Sequence, residues 1–142
     1  MNATSQNNPA APDPAPRRIL LVTTRSSTLI AVQRALREDR SVQLRFYAHC
    51  AAAMRTLMTW RPDALLLDLA CAGRTADPLV QHLRESAPQA TVALLGDAMN
   101  QRLADAIERL GADGGMPVMA PNPIERLRSF ARRSIDTRVD VA

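Results

Sequence analysis

Short unbroken apolar runs alternate along this chain with stretches in which apolar residues recur at helical spacing. Ile19–Val22, closed by Thr23-Thr24-Arg25, is an uninterrupted run of the kind that a strand buried on both faces shows. After Ser26-Ser27, which suit a helix N-cap, Leu29, Val32 and Leu36 predict a first helix that fades at Glu38-Asp39. Val42 to Ala48 alternates apolar and polar residues, as a strand nearer a sheet edge does. Ala51 to Trp60 places Met54, Leu57 and Met58 on one face of a second helix, stopped by Arg61-Pro62-Asp63. The most apolar run, Ala64–Leu67, enters Asp68 and a loop through Gly73, and Asp77-Pro78 reads as an N-cap with Pro opening a third helix on Leu79, Val80 and Leu83. Thr91 to Leu95 forms the fourth strand, closed by Gly96-Asp97. The fourth helix, about Met99 to Leu110, sets Leu103, Ile107 and Leu110 on one face and an Asp105/Arg109 pair on the other, and stops at Gly111. A weak fifth strand near Met116–Met119 leads to Asn122-Pro123-Ile124-Glu125, a capping box for a fifth helix carrying Ile124, Leu127, Ala131 and Ile135.

Five strand-then-helix units, with helices too short to bundle alone, imply an α/β domain: an open, doubly wound parallel sheet of five strands in the flavodoxin-like order 2-1-3-4-5. The chain of 142 residues suits a single domain. Residues 1–16, rich in Asn, Ala and Pro with little to bury, are expected to be a flexible leader; 17–135 is the domain and 136–142 a tail or truncated linker.

Hydrophobic residues at 46% and charged residues at 23% exclude a disordered chain. No apolar run approaches the roughly 18 residues of a membrane span, no secretory leader is apparent, and two Cys make no disulfide framework, so a cytoplasmic setting is expected. The net charge of +4 and pI of about 10.4 suggest a nucleic-acid partner, but the distribution argues otherwise. All 18 basic residues are Arg, spread from Arg17 to Arg138 among 14 acids, and Phe46, Tyr47, Trp60 and Phe130 do not interleave with them as a base-stacking surface would. His49, Cys50 and Cys71 fall after strands two and three, which strand one separates in this topology, so inert packing outweighs metal binding for them. No nucleophile elbow surrounds Ser26, Ser27, His49 or Asp68, which argues against a hydrolase. Trp60 is expected to lid the core.

In such a sheet, ligands bind outside the carboxyl ends of the strands. There the sequence places Thr23-Thr24-Arg25, Asp68, Gly96-Asp97 and Val118-Met119. At these residues the chain resembles the receiver domain of bacterial two-component response regulators. Pro62-Asp63-Ala64-Leu65-Leu66-Leu67-Asp68-Leu69, with Gly73 beyond it, is similar to the strand bearing the phospho-accepting aspartate. Gly111-Ala112-Asp113-Gly114 is similar to the turn before strand five, and the resemblance covers roughly residues 17 to 134.

The resemblance implies a phosphorylation apparatus that this chain largely lacks. The acidic pair that holds Mg²⁺ falls at Thr23 and Thr24, and two hydroxyls with one carboxylate make a poor cage for a hard cation. The phosphoryl-binding Thr or Ser falls at Gly96, the switch aromatic at Gly115, and the strand-five Lys at Val118 or Met119, in a chain without any Lys. The Met-Pro before the loop glycine is Cys71-Ala72. Asp68 alone is kept, as a vestigial phosphoacceptor. Arg25 and Arg74 sit on loops that can bring a guanidinium to Asp68 in place of metal and phosphate, or can equally point to water.

The expected protein is thus an atypical, non-enzymatic receiver-like signalling module without cofactor or metal, independent of aspartyl phosphorylation. Its partner is expected to be a protein: an effector, an output domain or a sensor kinase. The resemblance implies homodimerisation or effector binding through the face of helix four, strand five and helix five, where Arg102, Asp105, Arg109, Arg126 and Arg128 would lie. No membrane and no direct nucleic-acid contact is expected. The competing expectation is a true phosphoacceptor that uses Asp68 with an unusual metal site to which Asp97 lends a second carboxylate. A nucleotide or flavin binder is disfavoured because Thr23-Thr24-Arg25-Ser26-Ser27 holds no glycine for a phosphate loop.

Overall fold

The computed structural model describes residues 16–37, 40–71, 76–98 and 100–117. Five strands, β1 (Arg17–Val22), β2 (Val42–Tyr47), β3 (Ala64–Asp68), β4 (Thr91–Gly96) and β5 (Gly114–Pro117), alternate with four helices. The helices are α1 (Ser26–Leu36), α2 (Cys50–Thr56), α3 (Ala76–Ser86) and α4 (Gln101–Leu110). All strands are parallel and lie in the order β2-β1-β3-β4-β5, the expected doubly wound arrangement. The expected fifth helix, the leader up to residue 15 and the tail lie outside the described residues.

Continuous apolar runs become the central strands because alternate side chains of each strand enter opposite layers. Leu20, Val22, Leu65, Leu67, Val92 and Leu94 pack against α2, α3 and α4 on one face. Ile19, Leu21, Leu66, Ala93 and Leu95 pack against Val32, Ala35 and Leu36 of α1 on the other. A polar clasp closes the amino ends of the central strands. Asp63 accepts the Arg18 N–H through Oδ2 at 2.8 Å, and Asp113 Oδ2 accepts the Val92 N–H at 2.8 Å. These two carboxylates satisfy strand-end donors that burial would otherwise leave unpaired.

Several local expectations are corrected. Ser26 and Ser27 do not cap α1: Arg25 is the N-cap residue, in extended conformation and without a side-chain cap bond, and both serines sit exposed in the first turn. The second helix ends at Thr56. Residues 57–60 close in tight turns, with the Met58 N–H on Arg55 O and the Trp60 N–H on Thr56 O, which rotates Met58 out to 80% exposure while Leu57 stays buried. Asp77 lies inside the first turn of α3 rather than capping it, and its carboxylate turns to Arg109 Nη1 at 2.7 Å. Arg109 therefore pairs across helices, and Asp105 accepts from Gln101 Nε2 instead, at 2.7 Å. The fourth helix starts at Gln101, capped by Asn100, whose Oδ1 accepts the Leu103 N–H. Gly111 ends it with φ of 67°, as its position predicts. The fifth strand begins at Gly114, two residues early, because Asp113 already bonds to Val92 at both its N–H and its carboxylate.

Candidate functional site

Three chain segments converge at the carboxyl edge: the residues after β1, the end of β3 and the residues after β4. Asp68 is the last residue of β3 and is fully buried. Thr23, buried just past β1, donates from Oγ1 to Asp68 Oδ2 at 2.7 Å. Of the two arrangements left open for Arg25, the structure takes the ion pair. Its guanidinium meets the carboxylate side-on, Nε to Oδ2 and Nη2 to Oδ1, both at 2.8 Å. The Ala70 N–H, at 3.0 Å, completes the set on Oδ1. Thr23 also orients the arginine locally, since its Oγ1 accepts the Arg25 N–H at 3.0 Å.

Asp68 thus accepts four hydrogen bonds, two on each oxygen, which is the full acceptor capacity of a carboxylate. Burial alone would push its carboxyl up. The Arg25 contact, then the Thr23 hydroxyl and the Ala70 N–H, outweigh burial and hold it below the ordinary aspartate value. Asp68 first and Asp97 second push the Arg25 guanidinium still further up. Arg25 is 30% exposed and reaches Asp97 Oδ1 through Nη1 at 2.5 Å; Asp97 itself is 76% exposed. One guanidinium therefore bridges two carboxylates, and it ties the segment after β4 to the end of β3.

The other expected positions are placed as follows. Thr24 is exposed beside the site. Gly96 is buried at the end of β4, where a Cβ would meet Leu103 Cδ2 at 3.3 Å. A Cβ on Gly115 would come within 2.8 Å of Ile107 Cδ1 and 3.1 Å of Leu94 O, so Ile107 already fills that space. Arg102, Asp105 and Arg109 are brought together along α4, lining with Leu69 and Ala106 an open groove of about 460 Å³. A smaller hollow of about 240 Å³ beside Arg25 is lined by Gly96, Asp97, Asn100 and Arg102 among others. Arg74, Val118, Met119, Arg126 and Arg128 lie outside the described residues, as does the side chain of Cys71. Cys50 is buried in the core, as a packing role requires, and among the described residues no cluster of three His, Cys, Asp or Glu side chains is placed to hold a metal.

The Mg²⁺ that a receiver fold implies does not fit this arrangement. A hard cation needs several oxygen lone pairs at about 2.0–2.1 Å, and here both Asp68 oxygens are saturated by donors, with a guanidinium where the ion would have to sit. Around Asp68 the cluster is a closed charge-and-hydrogen-bond unit, in which all four acceptor positions of that carboxylate are taken.

Sequence reasoning missed the Arg25–Asp97 contact. The only available signal was that the two residues follow β1 and β4, the strands on either side of β3. It also missed that Ile107 packs over Gly115, which no spacing reveals.

No family model matches the sequence, and no curated protein matches it. Solved structures do. The CheY-like response regulator receiver domain protein from Methanospirillum hungatei JF-1 superposes with a TM-score of 0.71 at 13% identity, covering 89% of this chain and 99% of the other. The signal receiver domain of an HD domain-containing protein from Pseudomonas fluorescens Pf-5 gives 0.72 at 18% identity, covering 88% and 98%. The chemotaxis response regulator CheY4 of Vibrio cholerae gives 0.68 at 18% identity, covering 84% and 99%. The chain has the CheY-like receiver fold.

Proposed function

We propose that this chain is a non-enzymatic signalling module of the two-component receiver type that works through protein contacts and does not depend on an aspartyl phosphate. The observation that carries this reading is the saturation of Asp68: its four acceptor positions are taken by Thr23, Ala70 and two Arg25 nitrogens. Phosphoryl transfer relies on positioning and charge neutralisation around a nucleophilic oxygen, and a nucleophile whose lone pairs are all engaged is not poised for it. The filled space at Gly115 and the absence of a hydroxyl at Gly96 support the same reading, because neither position offers a side chain to follow a phosphoryl group. Thr23, Thr24, Gly96, Gly115 and Val118 are the positions at which the switch is degenerate, and Asp68 is its vestige. The output surface is the α4 face with Arg102, Asp105 and Arg109, joined by Arg126 and Arg128 from beyond the described chain. Its partner is an effector, an output domain, a sensor kinase or a second copy.

One observation favours a second reading, a true phosphoacceptor: Asp97 reaches the same guanidinium as Asp68, so displacing Arg25 would leave two carboxylates on one site. Titration with Mg²⁺ and beryllofluoride, read on backbone amides, separates the two. The proposal expects no saturable shifts at the Asp68, Ala70 and Asp97 amides, and no label from acetyl phosphate. Saturable shifts there that Asp68→Asn abolishes would establish the second reading.

A further inference from the structure

At the far side of the sheet from α4, β2 ends the sheet among the described residues, pairing only with β1. The Arg17 and Thr23 N–H groups bond to Ser41 O and Tyr47 O, so the odd-numbered residues of β2 turn their main chain towards β1. By alternation, Val42, Leu44 and Phe46 turn their N–H and C=O groups outward. Such an edge is a template for another strand. Its two flanks differ in chemistry. On the α1 side, Val42 and Leu44 line a groove of about 500 Å³ with Ile30 and Leu36, rimmed by Arg34 and Arg37. Ile30 and Phe46 are 47% and 46% exposed, two of only three large apolar side chains exposed among the described residues. On the α2 side, Arg45 stacks on Trp60 at 4.7 Å from the ring centroid, with Arg18 on the same ring at 5.7 Å.

The charged side chains described along this edge and the helix beside it are all arginines: Arg34 in α1, Arg37 just after it, Arg40 before β2 and Arg45 within β2. Among the described residues, the ion pairs of Arg25, Arg84 and Arg109 involve none of these four. Stacking on Trp60 fixes the position of Arg45 while leaving its hydrogen-bond donors for a partner. A second copy is the wrong occupant. Antiparallel pairing of two β2 edges about their centre would bring the two copies' Arg45 side chains onto one flank as near neighbours, and like charges across strands repel.

We propose that the β2 edge docks an extended segment of another protein, in which acidic and apolar residues alternate, by adding it to the sheet as a further strand. The segment's apolar side chains enter the Ile30–Leu44 groove, its carboxylates meet Arg45 on the other flank, and its main chain bonds to Val42, Leu44 and Phe46. The inference is independent of the state of Asp68.

The test uses short synthetic peptides of alternating Val and Glu, alternating Val and Lys, and alternating Val and Glu with every second amide N-methylated. Binding is read by fluorescence anisotropy and by amide shifts. The Val–Glu peptide should bind with shifts centred on Val42, Leu44, Phe46 and Ile30, weaken with salt, and exceed Val–Lys by at least about tenfold. N-methylation on the bonding edge should abolish binding. Arg45→Glu, on the exposed α2-side flank of β2, should lower Val–Glu affinity and raise that of Val–Lys, a gain that loss of folding could not produce. Equal binding of the two charge types, full binding of the N-methylated peptide, shifts centred on α4, or self-association through β2 without peptide would each overturn the proposal.

Discussion

Arg25 lies three residues past the end of β1, yet it decides the chemistry of the site. A buried carboxylate beside two other carboxylates would gain stability on neutralisation. Here Asp68 sits among donors, and the sign reverses. Asp68→Asn should destabilise the fold by about 1–3 kcal/mol at pH 7, because four donors lose a charged acceptor. Since the carboxyl is held below its ordinary value of 3.8, its contribution is complete above that value and is lost as the pH falls through the lower folded-state value. Urea titrations of the native protein and the variant from pH 7 to 3 should therefore show a gap that is constant near neutrality and closes at the acid end. A gap that widened on acidification, or a variant more stable than the native protein at pH 7, would refute this account.

At the scale of single elements, α4 combines the strongest local signals with the most consequential placement. Asn100 caps it, Gly111 ends it in the left-handed region, and between them Leu103 and Ile107 press into the spaces over Gly96 and Gly115. Asn100→Ala should cost about 1 kcal/mol, seen as faster hydrogen exchange at Leu103, with Asp restoring most of the loss. Gly111→Ala should cost about 1 kcal/mol or more through its positive φ alone, since nothing crowds the new methyl group. Both are checked by thermal melts.

For the whole molecule, two apolar layers share one sheet, and β3 feeds both: Leu65 and Leu67 face α2, α3 and α4, while Ala64 and Leu66 face α1. Breaking either layer should therefore unfold both. Leu65→Ala and Leu66→Ala should each cost about 2–5 kcal/mol, and the fluorescence of Trp60, the only tryptophan, should report the same transition as circular dichroism. At this scale the charge is also divided among the described residues, with Arg34, Arg37 and Arg45 at the β2 end and the cross-helix pair Arg109–Asp77 on the opposite flank.

The parallel sheet and its strand order were legible in the sequence, because three unbroken apolar runs at the right spacing satisfy their backbone best as central strands covered on both faces. So were Gly111 as a stop and Trp60 as a buried lid. Local chemistry was less legible at helix starts: Ser26, Ser27 and Asp77 are all good caps by type, but the chain's entry angle from β1 and the pull of Arg109 on Asp77 determined which residues served. That Thr23 and Thr24 stand where the resemblance sets an acidic pair could be read directly, residue by residue. Whether Arg25 turned to water or to Asp68 could not, because two residues 43 positions apart meet only once β1 and β3 lie side by side, and a guanidinium commits to a carboxylate only where burial has removed the competing water.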